Sequence, residues 1–337
     1  MTSDFDQRCR ALVVELGLGQ ASDVTDLVPL TGGVASDIAM VALGERKVCV
    51  KFALPKLKVA ADWYAPVHRN AAEYAWLKVA AEVMPDSAVR LYGRSETQHG
   101  FAMEFLDGAD VYLWKSALLN EAADKGESAR VADMIGRIHA ASAKADFDTE
   151  PFKNRDDFHA LRIEPYLIHT AGIHSDLEPQ ISTLATMLYE SQQVLVHGDV
   201  SPKNILFRAS GPVLLDAECA TIGDASFDPS FCLNHLVLKA AHLPGSRDRL
   251  LGDIGGFWAS YAPHVHWEDA QTLEARICRL LPALMLARID GKSPVEYLND
   301  QRRTHVRQMA IALIRDPSDR LADIAARLST DLKDQKT

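Results

Sequence analysis

The chain lacks most of the features that would place it outside a cell's interior. No apolar run approaches the ~20 residues that a membrane-spanning helix needs. The first residues, Met1-Thr2-Ser3-Asp4-Phe5-Asp6, carry acids where a secretory leader has a basic start and an apolar stretch. The cysteines are few and scattered (Cys9, Cys49, Cys219, Cys232 and Cys278) and form no CxxC pair, which fits neither a zinc site nor a disulfide framework. Positive charge is also scarce. Against 46 Asp and Glu stand 36 Lys and Arg, and the net charge of −10 is the wrong sign for a nucleic-acid or anionic-membrane binder. Neither GxxxxGK nor GxGxxG occurs, so P-loop and Rossmann phosphate sites are unsupported. Internal repeats, low-complexity tracts and Ser/Gly linkers are missing as well. The expectation is a cytoplasmic protein with no nucleic-acid and no membrane partner.

What is present is a globular composition, 47 % hydrophobic and 24 % charged, over 337 residues. At one domain per ~150 residues this length suggests two lobes. Phe5, Cys9, Leu12, Val13 and Leu16 recur at helical spacing. Residues 38–43 form a short apolar run. Residues 47–52 alternate, with Val48, Val50 and Phe52 on one face and Cys49 and Lys51 on the other. A helix is predicted over 66–83 with Ala72, Trp76, Val79 and Ala80 as its stripe, followed by strands at 89–92 and 101–106. The turn Asp107-Gly108 closes this small mixed lobe. Beyond it the pattern is helical at 129–143, 181–189, 231–241, 272–289 and 304–328. Two short strands, 194–196 and 213–215, each run into an acidic segment.

Those two strand ends carry the chemistry. One reads His197-Gly198-Asp199 with Asn204 five residues later, and the other Asp216-Ala217-Glu218. Each residue is also an ordinary turn former. Their joint occurrence at these offsets is what marks a site. Hard cations such as Mg²⁺ take oxygen ligands, typically one or two carboxylates with phosphate and water. Asn204 and Asp216 could hold Mg²⁺ against a nucleotide phosphate, with Glu218 as a further ligand or a holder of bound water. Asp199 could accept a hydrogen bond from a substrate hydroxyl and aim it at the transferred group.

These segments resemble the catalytic loop and metal-binding segment of the aminoglycoside phosphotransferase and choline kinase superfamily, small-molecule relatives of protein kinases. The resemblance implies an α+β, protein-kinase-like two-lobe fold. Residues 1–106 would be the nucleotide-binding lobe, and residues 107–337 the mostly helical catalytic and acceptor-binding lobe. It implies ATP and Mg²⁺ as cofactors, and a nucleotide and a small hydroxylated acceptor as partners. Lys51 matches the strand lysine that contacts nucleotide phosphates, and Glu73 the glutamate that pairs with it. The backbone of Glu104 and Leu106 would meet the adenine edge, and Gly32 and Gly33 stand where the phosphate-covering loop belongs. Asp228 would brace the catalytic loop and His197 fix it, while Lys203 reads as a surface lysine or a phosphate contact.

The Asp216-Ala217-Glu218 segment is similar to that of methylthioribose kinase, as is Ala287-Arg288-Ile289-Asp290-Gly291. Arg288 is therefore expected as a substrate or phosphate contact, or in a buried helix salt bridge. The implied activity is transfer of the ATP γ-phosphate to a hydroxyl of a sugar, amino sugar or amino alcohol. The alternative is a catalytically silent nucleotide-binding regulator, a class that usually loses the loop Asp or a metal ligand. Protein-kinase activity is unsupported, since HRD, DFG and APE are all missing. A choline acceptor would want aromatic faces. Phe257, Trp258, Tyr261 and Trp267 cluster, but Trp258 and Tyr261 sit at helical i, i+3 spacing, the pattern of a core stripe.

Overall fold

The computed structural model describes residues 4–30, 36–56 and 66–333. Helix α1 (Asp4–Glu15) precedes strands β1 (Val24–Pro29), β2 (Ser36–Leu43) and β3 (Arg46–Ala53). Helix α2 (Arg69–Val83) and strands β4 (Leu91–Ser95) and β5 (Gly100–Glu104) follow. The strands form one antiparallel sheet of order β1-β2-β3-β5-β4, so β3 is its centre. The alternation of β3 sorts its side chains between two layers. Val48, Val50 and Phe52 join Cys9, Leu12 and Val13 of α1 in one core. Cys49 points to the other face, where it meets the cluster containing Trp76 of α2. Lys51 shares that second face. A charged residue is thus held in the middle strand beneath a helix.

The remaining chain is mostly helical. Strand β6 (Tyr112–Leu113) leads into α3 (Trp114–Leu119), then α4 (Glu127–Ser142) and α5 (Arg155–Phe158). A π-helical stretch, His159–Ile168, joins α5 to α6 (His169–Ile173) and accommodates Pro165. After α7 (Glu178–Glu190) come four short strands: β7 (Val194–Val196), β8 (Ile205–Arg208), β9 (Gly211–Leu214) and β10 (Thr221–Gly223). They pair antiparallel as β10-β7 and β6-β8-β9. Helices α8 (Phe227–His242), α9 (Arg247–Tyr261), α10 (Ala270–Asp290), α11 (Asp300–Arg315) and α12 (Leu321–Lys333) complete the lobe. Helix α8 is buried from Phe227 to Ala241, the environment of a central helix rather than a surface one.

The expected α+β class, a small sheet lobe beside a larger helical one, is the class observed. Three local expectations change. The single helix predicted over 304–328 is two, α11 and α12, separated at Asp316-Pro317-Ser318. Proline lacks the N–H a helix interior needs and disfavours helical backbone in the residue before it. The strand expected at 89–92 lies two residues later. Helix α9 and the 155–173 helical run were not predicted. No helix among the described residues is long and apolar enough to cross a membrane.

Candidate active site

The β8–β9 hairpin places Asn204 and Asp216. Ile205 pairs with Leu214, and the next pair outward is closed by Leu215 N–H donating to the Asn204 carbonyl at 2.9 Å. Twelve residues of separation thus become adjacency at the mouth of the hairpin. The Asn204 side-chain NH₂ donates to the Asp199 carbonyl at 3.1 Å, which leaves its oxygen for another partner. Asp216 adopts φ +69°, a left-handed conformation that Asp tolerates better than most residues. Its N–H donates to Glu73 Oε1 at 3.1 Å.

Lys51 joins the sheet lobe to this hairpin. Its Nζ lies 2.7 Å from Glu73 Oε2 on α2, 2.5 Å from Asp216 Oδ1 and 3.3 Å from Glu218 Oε1. Burial alone would lower its pKa. Asp216, Glu73 and Glu218 outweigh that and hold the ammonium charged. Glu218 is committed elsewhere as well. Buried Arg69 donates from Nε to its Oε2 at 2.7 Å, and Ser36 donates to its Oε1. Asp216 is the more open carboxylate, 32 % exposed against 7 % for Glu218. Oxygens of Glu73, Asp216 and Glu218 come within 4.8 Å of one another. Three carboxylates against the two cations Lys51 and Arg69 leave one negative charge, a balance that suits a hard cation.

Asp199 sits in a cationic setting. Arg162 Nη2 lies 3.0 Å and Lys203 Nζ 3.3 Å from its Oδ2. Arg162 Nε also donates to the Gly198 carbonyl. Burial would raise the Asp199 pKa, but Lys203 and Arg162 hold the carboxyl well below the usual range. The loop itself is fixed from below. Asp228, at the start of α8, accepts from His197 N–H at 2.7 Å and Gly198 N–H at 2.9 Å. Buried His139 on α4 backs it at 3.3 Å and binds the Tyr261 hydroxyl at 2.8 Å. His197 Nδ1 accepts from Asp199 N–H at 3.1 Å, and its ring meets Trp76 of α2 edge-on at 4.6 Å. Burial lowers the His197 pKa, so the ring is a neutral brace.

The structure therefore brings Lys51, Glu73, Asp216 and Glu218 into one cluster and sets Asn204 and Asp199 against it. Glu104 ends β5 opposite Val48, with Leu106 just beyond it. Gly32 and Gly33 lie outside the described residues. Arg288 stands apart on α10, with Nη1 donating to the Ser293 carbonyl and hydroxyl and lying 3.4 Å from the Tyr166 hydroxyl. Lys203 is 45 % exposed, as a surface lysine would be, and its Nζ lies 3.3 Å from Asp199 Oδ2. Sequence reasoning missed Arg69, Arg162 and His139. Their partners lie 149, 37 and 89 residues away, and each type is common on surfaces. Among the three, only Arg162 had a local signal, its place three residues before Pro165 in an apolar stretch. Of the aromatic cluster, Phe257 and Tyr261 are fully buried core residues, and Trp258 and Trp267 are partly buried against that core.

The sequence profile described as the phosphotransferase enzyme family matches residues 26–264, more than half of the chain. The chain belongs to that family. The protein is therefore a phosphotransferase. Solved structures share the two-lobe kinase-like fold. A choline/ethanolamine kinase family protein from Mesorhizobium loti superposes with a TM-score of 0.57 at 13 % identity, covering 97 % of this chain and 99 % of that one. An ethanolamine kinase of Plasmodium vivax gives 0.54 at 12 %, over 96 % and 88 %. The amicoumacin kinase hAmiN, in complex with AMP-PNP, Ca²⁺ and Ami, gives 0.54 at 12 %, over 100 % and 97 %. No curated protein sequence matches the chain.

Proposed function

We propose that this phosphotransferase moves the γ-phosphate of ATP, held with Mg²⁺, to a hydroxyl of a small acceptor. In this reading residues 1–106 hold the nucleotide and residues 107–337 supply catalysis and acceptor binding. The observation that carries it is the engagement of one buried ammonium, Lys51, by Glu73 of α2 and Asp216 beyond β9. Elements remote in sequence meet at one charge, at the place a polyphosphate needs a counter-ion. The structural likeness to a kinase solved with AMP-PNP and Ca²⁺ supports an adenine nucleotide with a divalent ion.

Asn204 and Asp216 would hold the metal. Glu218, already committed to Arg69, would complete the shell or fix water on it. When bound, Mg²⁺ supplies neutralisation of phosphate charge, which phosphoryl transfer requires more than covalent chemistry. Lys51, aimed by Glu73, neutralises phosphate oxygens beside it. The backbone of Glu104 and Leu106 meets the adenine edge, and Gly32 and Gly33 belong to the loop over the phosphates. Asp199 accepts the hydrogen bond of the acceptor hydroxyl and aims its oxygen. Kept anionic by Lys203 and Arg162, it is a weak base, so orientation is its main contribution.

The test is ADP release across a panel of hydroxylated metabolites, with products identified by mass spectrometry. Acceptor-dependent turnover, lowered about 100-fold or more by Asp199→Asn with nucleotide affinity retained, supports the reading. Mg²⁺-dependent ATP binding with no turnover in any pool supports a silent regulator instead. The intact Asp199, Asn204 and Asp216 argue against that outcome.

A further inference from the structure

Helix α8 carries an unusual stripe. Phe231, His235 and Lys239 follow at i, i+4 and i+8, so they lie on one face. Phe231 is where this face meets the active site: the Arg162 guanidinium lies 6.0 Å from its ring centre, and Arg162 holds Asp199. The His235 ring is 5.4 Å from that of Phe231. One turn further, Lys239 is 2 % exposed, with Nζ 5.4 Å from the Tyr297 ring. Eight residues of helix advance about 12 Å, a span suited to a small metabolite. Arg288 closes the group from α10, since it touches Tyr166, whose ring lies 5.6 Å from Phe231.

The group lacks counter-charge. Among the described residues, the side chains of Lys239 and His235 make no hydrogen bond or ion pair, and Arg288 Nε and the Tyr297 hydroxyl are buried without partners. Glu296, the acid nearest in electrostatic effect, is exposed and bound to Lys115 at 2.9 Å. Burial brings the Lys239 pKa down to about 7, and Lys115 and Arg288 push the same way. Burial, with Lys239 and Arg288 adding to it, holds His235 neutral. A buried, unpaired ammonium is costly, and such groups concentrate where a ligand completes them.

We propose that Lys239 and Arg288, with His235 and Tyr297, bind a phosphate or carboxylate group of the acceptor, whose hydroxyl end Asp199 orients. The hydroxyl end rests on the phosphotransfer reading above, whereas the anion site does not. Cationic acceptors such as choline would be repelled by the same cluster.

The test begins with binding. The full-length protein, with AMP-PNP and Mg²⁺ present, is titrated with inorganic phosphate, malonate and, at matched ionic strength, chloride. Phosphate or malonate is expected to bind at least about tenfold more tightly than chloride. Whichever of the two binds better identifies the anionic group. Lys239→Met is expected to lose about tenfold in that affinity, and Lys239→Arg to retain most of it. A second arm compares glycerol 3-phosphate and glycerate with glycerol and choline as acceptors in the presence of ATP and Mg²⁺. Phosphate and malonate behaving like chloride, equal anion affinity in Lys239→Met, or preferential turnover of choline would overturn the proposal. Lys239-dependent anion binding without turnover of any acceptor supports the anion site and counts against the kinase reading alone.

Discussion

Arg162 grips Asp199 from a π-helical turn, with Nη2 3.0 Å from the carboxylate and Nε on the preceding Gly198 carbonyl. π-Helical turns are rare and recur at functional sites. Here the turn projects a guanidinium onto the loop that carries Asp199. Arg162 acts through Asp199, by fixing its position and its charge.

Arg162→Met is expected to lower kcat about 10- to 100-fold and to leave nucleotide KM nearly unchanged. The pH profile separates this from a packing defect. Asp199 has a depressed pKa, so it stays ionised until pH falls through that low value. Removing Arg162 raises the pKa towards the ordinary carboxylate value, with Lys203 still opposing the rise. The acid limb of kcat/KM should therefore move to higher pH. An unmoved limb would leave Arg162 with a packing role only.

Lys51→Met leaves Glu73, Asp216 and Glu218 facing one another with only Arg69 beside them. Breaking a buried ion cluster in this way costs about 3–5 kcal/mol. Because the remaining oxygens suit a divalent ion, Mg²⁺ should raise Tm more in this variant than in the parent, and EDTA should reverse the rise. Melting curves with and without Mg²⁺ check it. An equal Mg²⁺ effect in both proteins would place the cation elsewhere.

Gly198→Ala meets two obstacles. The residue has φ +81°, and an added Cβ would lie 2.9 Å from Cys219 Cβ and 3.1 Å from the Cys219 carbonyl oxygen. The combined cost is about 2–4 kcal/mol, since backbone strain adds to a clash with main chain. Denaturant melts should show that loss, together with falling activity as the Asp199 loop shifts.

Asp253 offers a prediction independent of catalysis. Burial, with Asp124 adding to it, raises its carboxyl to about 6. A raised acid folds best protonated, so its contribution is complete below about pH 4 and is lost as pH rises through 6. At pH 7 the charged form costs about 1–3 kcal/mol. Asp253→Asn should therefore stabilise the protein at pH 7 and make little difference at pH 4, as read by melts at the two values.

Local pattern carried much of the architecture. The alternation of Val48, Val50 and Phe52 against Cys49 and Lys51 gave both layers of the sheet lobe, because strand periodicity acts residue by residue. Trp258 and Tyr261 read as core from spacing alone. The break between α11 and α12 was legible too, in Pro317, but the apolar periodicity on either side masked it.

The amino-acid order fixes which chemical groups exist: oxygen donors at Asn204, Asp216 and Glu218, an aspartate in a tight loop, and a lysine on an alternating strand. Short-range spacing carries that information because turns and strands are set by neighbours. Tertiary structure alone decided the charges those groups feel. Arg69 neutralises Glu218 and Arg162 fixes Asp199, while Lys239 meets no acid among the described residues. Each outcome depends on which distant side chain burial brings within a few ångströms, where water no longer screens it.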